Sequence, residues 1–144
     1  MSVSFENFNT KFNVDELLIA ETTFWKWSLR PAQCTIGAGI LSLKRPAEAM
    51  SDLTEEEGAD LIVIVKAIES TLKSAFSPDK MNYLMLMMVD LHVHYHVIPR
   101  YSKDIEFGGD TFKDVSWPKP SNLFAESLDE SVLVNLRDYL KSSL

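Results

Sequence analysis

A single cysteine, Cys34, in 144 residues excludes an intrachain disulfide and any cysteine-rich metal centre. It has no histidine and no Lys/Arg cluster beside it in sequence, so it reads as a small, partly buried hydrophobe rather than a reactive thiol. Long apolar runs are missing as well. The longest extends only from Tyr83 to Val89, well short of the roughly 20 residues of a membrane-spanning helix. Met1 to Thr10 sets polar and acidic side chains between aromatics, which gives no export signal and leads us to expect a cytoplasmic protein without a membrane partner. Basic charge is in deficit: 14 Lys and Arg against 21 Asp and Glu leave a net charge of −7, which argues against a nucleic-acid polymer as partner. A small anion in a local pocket is still compatible with that balance.

The chain has no internal repeat, linker or low-complexity tract, and its apolar pattern mixes strand and helix periods. We therefore expect one α+β domain over residues 1–144. Asn13–Ile19 reads as a short helix anchored by Phe12, Leu17 and Ile19. Thr22–Leu29 and Thr35–Lys44 read as strands, closed by Arg30-Pro31 and Arg45-Pro46, with Gly37 and Gly39 permitting close approach. Thr54 with Glu57 forms a capping box for a long helix carrying Leu61, Val65, Ile68, Leu72 and Phe76 on one face, stopped by Ser77-Pro78-Asp79. Met81–Val89 and Leu91–Tyr101 read as two further strands, with Met81, Met85, Met87 and Met88 in the core. Lys103–Pro120 reads as a long ordered loop bordering a site, and Ser127 with Glu130 as the cap of a C-terminal helix.

The three histidines of the chain all fall at i, i+2 and i+4, in His92-Val93-His94-Tyr95-His96. Only roughly 140 of roughly half a million possible triples have that spacing, so the cluster demands a reason. On a strand, alternation puts His92, His94 and His96 on one face and Leu91, Val93, Tyr95 and Val97 on the other, where they enter the core. The outer imidazoles are then about 13 Å apart along the backbone, too far to ligate one metal together. A zinc site on a neighbouring pair would need carboxylates such as Asp90, which makes a metal-dependent hydrolase the least favoured reading. Nucleophilic catalysis uses the geometry better. If His94 donates its Nδ1 proton to a carbonyl of its own strand, Nε2 presents a lone pair that can attack phosphorus near neutral pH. His96 would contact a phosphate oxygen or the leaving group. Arg100, at even spacing from the triad, is a candidate phosphate contact that serves equally well as a salt-bridge partner.

His92 to Ile98, with His alternating with apolar residues and followed by Pro99-Arg100, resembles the histidine triad (HIT) family. The segment from Gly37 through Lys44-Arg45-Pro46 to Leu53-Thr54 and the long helix is similar to that family's strand, basic turn and helix. The resemblance covers roughly residues 22 to 101. It implies a HIT-like fold: an antiparallel sheet of about five strands, packed by the long helix and the C-terminal helix, often paired into a homodimer. It further implies a hydrolase or nucleotidyl transferase acting on the α-phosphate of a dinucleoside polyphosphate or nucleoside phosphoramidate, without cofactor or metal. Carried onto this chain, His94 becomes the nucleophile, His96 a phosphate or leaving-group contact, and His92 the residue whose carbonyl orients His94. Two positions depart from the pattern. Ala38 stands where many relatives have a further histidine, and Met87, Met88 and Val89 stand where a Gly-Gln and a Ser or Thr often help hold phosphate. Asn82 is the candidate to replace one of those groups. The alternative function is a nucleotide-binding module with little or no turnover.

Overall fold

The computed structural model describes residues 2–144. In chain order they form α1 (Ser2–Lys11), β1 (Leu18–Glu21), β2 (Trp25–Leu29), β3 (Gly39–Leu43), α2 (Glu55–Ala75), β4 (Lys80–Leu84), β5 (His94–Arg100), β6 (Ile105–Phe107), β7 (Asp110–Phe112) and α3 (Glu130–Ser142). Five strands make one antiparallel sheet in the order β1-β2-β3-β5-β4, and β6 and β7 form a separate hairpin. This is the α+β architecture expected.

Alternation along the central strands sorts the side chains into two layers. Trp25, Trp27 and Leu29 of β2, Leu41 and Leu43 of β3, and Val97 of β5 face the main core with Ile64, Ile68 and Leu72 of α2 and Leu133, Leu136 and Leu140 of α3. The opposite face carries His94 and His96 of β5 and Ile40 of β3, where Ile40 clusters with Phe8, Phe12 and Val14. The sheet is thus covered on both sides, by α2 and α3 on one and by α1 with the turn after it on the other.

The start of α2 follows the capping rule: Glu57 N–H donates to Thr54 Oγ1 at 3.1 Å, and Thr54 N–H donates to Glu57 Oε1 at 2.9 Å. Trp25 Nε1–H donates to the Glu57 carbonyl at 2.9 Å and ties that helix start to the sheet. Gly39 is required by close approach, since a Cβ there would lie 2.7 Å from Trp27 Nε1 and 2.9 Å from the Ser28 carbonyl oxygen. Gly39→Ala is expected to cost about 1–3 kcal/mol of stability, read as a lowered urea midpoint.

Several boundaries differ from the sequence expectation. Asn13–Ile19 is not a helix: Asn13 sits at φ 49°, the chain turns, and Leu18–Glu21 pairs with β2 instead. The helix in this region lies earlier, in α1, which the polar composition concealed. Its anchors Phe12, Leu17 and Ile19 are nonetheless buried. β4 ends at Leu84, because its partner β5 begins only at His94 and pairs Leu84 with His96. Residues 85–91 become a loop in which Met88 is exposed, while Met81, Met85 and Met87 pack against the core. The Ser127 cap is also absent. Ser127 bridges to Ala32, and α3 starts at Glu130 with Asp129 as N-cap and no side-chain cap bond. Strand β5 continues through Pro99, because its ladder to β3 stops at Val97 and the missing N–H falls beyond it. Cys34 is free and half-buried. No helix among the described residues is long and apolar enough to cross a membrane.

Candidate active site

The three imidazoles lie on one face, although only His94 and His96 belong to β5. His92 precedes the strand, where Val93 N–H donates to the Ala47 carbonyl at 2.8 Å and holds the entry fixed. The His94 ring nitrogen Nδ1 donates to the carbonyl of His92 at 2.6 Å, a bond that places the proton on Nδ1 and leaves Nε2 with its lone pair. His92 is anchored in turn by Nε2–H donating to the Leu43 carbonyl at 2.8 Å. The rings of His94 and His96 stand edge to face with centroids 5.0 Å apart.

Helix α1 covers this row with an aromatic stripe at i, i+3 and i+7. Phe5 packs on His92 at 4.7 Å between centroids, Phe8 on His92 and His94 at 5.1 and 4.8 Å, and Phe12 on His94 and His96 at 6.2 and 6.4 Å. The side chains of His92 and His96 each have an Nδ1 sealed from solvent without a partner. The Nε2 atoms of His94 and His96 are not sealed, and both residues line a cavity of about 600 Å³. Its remaining walls are Lys11 and Phe12 at the end of α1, Arg30 and Ala32 after β2, the 86–90 loop, and the 121–125 segment.

Burial lowers the pKa of all three histidines, furthest for His96, which falls to about 4; for His96 the neighbouring His94 and Arg30 charges add to the effect. At neutral pH the row is uncharged. The stability consequence has a definite sign, since between the ordinary histidine pKa of 6.5 and the lowered native values the unfolded chain binds more protons than the native one. Stability should therefore fall as pH drops from 6.5 towards about 4. A loss of roughly 2 kcal/mol allows for the solvent that reaches the pocket side of the rings. Urea unfolding at pH 7 and pH 4.5 checks it, with a triple His→Gln variant flattening the difference.

Arg100 and Asn82, the two expected substrate contacts, are not brought to this cavity. Arg100 Nε and Nη2 donate to the two carboxylate oxygens of Asp114 at 2.7 and 3.1 Å, Nη1 donates to Asn82 Oδ1 at 2.9 Å, and Nη2 donates to the Lys119 carbonyl at 2.6 Å. Even spacing does put Arg100 on the triad face. It sits four residues beyond His96, however, about 13 Å along the strand, and its donors fasten the 113–120 loop. The expected site-bordering loop, Lys103–Pro120, instead holds the β6–β7 hairpin and lines none of this cavity, which is bordered by 121–125.

Sequence reasoning missed the cavity's basic groups. Lys11 Nζ spans both oxygens of Asp90 at 2.8 and 2.9 Å, latching α1 to the loop before the triad. Arg30 Nη1 donates to the carbonyls of Ala32 and Leu123, both at 2.9 Å. The Phe5, Phe8, Phe12 spacing was the readable signal for α1; nothing in the sequence ties Arg30 to a histidine row 62 positions later. Asp90, the carboxylate a zinc site would recruit, is occupied by Lys11, and among the described residues no group of three His, Cys, Asp or Glu is placed to hold a metal ion.

Comparison with known proteins adds an independent line. The HIT domain model matches residues 40–103. The fold is similar to a hypothetical histidine triad nucleotide-binding protein of Sulfolobus tokodaii, at 17% identity over 98% of this chain and 90% of that one, with a TM-score of 0.71. Histidine triad proteins of Bradyrhizobium japonicum (21% identity, 91% and 93% covered, TM-score 0.68) and Sinorhizobium meliloti (22%, 94% and 98%, TM-score 0.66) are similar to it as well. No curated protein sequence matches the chain.

Proposed function

We propose that this chain is a histidine triad protein, a hydrolase or nucleotidyl transferase acting on the α-phosphate of a nucleotide through a covalent nucleotidyl-His94 intermediate. The observation that carries the reading is the 2.6 Å bond from His94 Nδ1–H to the His92 carbonyl, with Nε2 unsealed towards the cavity. Nε2 attacks phosphorus, the bond to the leaving group breaks, and the departing atom takes its electron pair and a proton from solvent. The ring becomes cationic, and the His92 carbonyl, already accepting from Nδ1, stabilises that charge. Neutral His96 can donate Nε2–H to a nonbridging oxygen. Water then displaces His94 from phosphorus, loses a proton to solvent and returns the lone pair to Nε2, so that one difficult displacement is split into two. No step calls on a metal or cofactor.

The substrates that test this are an adenosine phosphoramidate and a diadenosine polyphosphate, each incubated with the purified chain. AMP release by chromatography supports the reading, and its absence at high enzyme concentration overturns it. A second reading, a nucleotide-binding module with little turnover, is favoured by one observation. Met87, Met88 and Val89 place apolar side chains beside His94 where polar groups would assist a developing charge. Saturable AMP binding without any release would select it. A homodimer is part of the same proposal and rests on the family resemblance.

A further inference from the structure

If the cavity takes a nucleotide, something other than Arg100 and the apolar 87–89 loop must meet the phosphate. We propose that Arg30 is the phosphate-recognising cation of this site and that it selects substrates presenting a single anionic phosphoryl group. This rests on the nucleotide reading above and deepens it.

The fork of Arg30 is oriented before any ligand arrives. Nη1 is fixed by the Ala32 and Leu123 carbonyls and Nε is sealed without a partner beside the Cys34 thiol, whereas Nη2 carries no carboxylate or carbonyl and is not sealed. The side chain lines the same cavity as His94 and His96 and is near enough to disfavour the charged form of each. Guanidinium donors with no carboxylate on them, held in a partly desolvated wall, suit a phosphoryl oxygen. Charge balance narrows the ligand further. Lys11 is neutralised by Asp90 and the three histidines are uncharged, so Arg30 is the one cation lining the cavity that no acid satisfies among the described residues. Leu86, Met88, Val89 and Phe124 line the same cavity and bring neither a side-chain donor nor a charge to meet further phosphates. The extra charges of a polyphosphate bridge would find no second cation there, while a phosphoramidate brings only one charge for Arg30 to meet.

The test separates a phosphate contact from a merely structural role by comparing two ligands. AMP and adenosine are titrated calorimetrically into wild type, Arg30→Lys and Arg30→Met. AMP affinity should fall roughly 10- to 100-fold in Arg30→Met and less in Arg30→Lys, with adenosine affinity little changed. Methylguanidinium should partly restore AMP binding to Arg30→Met. Equal losses for both ligands overturn the proposal, because the residue would then only hold the 121–125 wall. If wild type binds neither ligand, the nucleotide reading itself fails. Arg30 is then judged by inorganic phosphate, whose failure to shift the His94 ring resonances in wild type would overturn this proposal too, and whose Arg30-dependent shift would support it. In turnover, kcat/KM for the adenosine phosphoramidate should exceed that for diadenosine tetraphosphate, and the reverse order would refute the single-phosphate selection.

Discussion

Replacing His94 by Ala should abolish AMP release, with a loss of roughly 10³-fold or more, because His94 is the lining imidazole whose free Nε2 is backed by a carbonyl bond at Nδ1. His96 is the only other ring with an unsealed nitrogen there. Its Nδ1 is sealed without a carbonyl to accept a proton, so a cationic phosphohistidine at His96 would lack the stabilisation that His94 draws from His92. The covalent step is separately visible. Wild type quenched in alkali during turnover should carry a nucleotide adduct on the peptide containing His94, since a phosphorus–nitrogen bond of this kind survives base. Truncating a ring packed against Phe8 also opens a cavity, so far-ultraviolet circular dichroism and AMP binding must accompany the assay. A folded His94→Ala variant that still releases AMP at more than a few per cent of the wild-type rate would remove His94 from the chemistry.

How much of this was legible beforehand follows from what periodicity encodes. Alternation of His with Val and Tyr states which side chains share a face, and the shared face of His92, His94 and His96 is found as expected. The bond from His94 Nδ1–H to the His92 carbonyl is the one the family resemblance implies, although His92 lies just before the strand rather than on it. The capping box of α2 is local and was equally readable. Periodicity is silent about what packs over a face and about where a strand runs out of partners. Helix α1 is ten residues long with few apolar groups, so its Phe5, Phe8, Phe12 spacing is a sparse signal, and stacking of those rings on the imidazoles sets its place. Met85–Val89 has the composition of a strand, yet no strand lies opposite to pair with it once β5 begins at His94. Arg30 and Arg100 show the same limit for charge. Both adjoin a proline at a strand end, and only the fold decides that Arg30 lines the cavity while Arg100 is tied to Asp114.

That assignment of Arg100 carries the second large effect. Asp114→Ala should destabilise the chain by about 3–5 kcal/mol, the usual cost of leaving one charge of a buried pair without its partner. The side chains of Arg100 and Asp114 are only 5% and 1% exposed, and Asp114 also accepts from the Tyr101 backbone N–H at 3.1 Å, so a second donor is orphaned with the guanidinium. For a domain of this size the loss corresponds to roughly 10–20 °C in Tm. Asn82 and the Lys119 carbonyl keep two of the Arg100 bonds, which places the change within that range rather than above it. Removing both charges as Arg100→Met with Asp114→Leu should be milder than Asp114→Ala alone, because no bare ion is left behind. The two roles open to Arg100 part company in ligand binding. As a fastening for the 113–120 loop, it predicts that Asp114→Ala, assayed well below its Tm, binds AMP as wild type does. A phosphate-binding Arg100, freed from its carboxylate, would change AMP affinity at every temperature where the protein is folded, and that result would return Arg100 to the site.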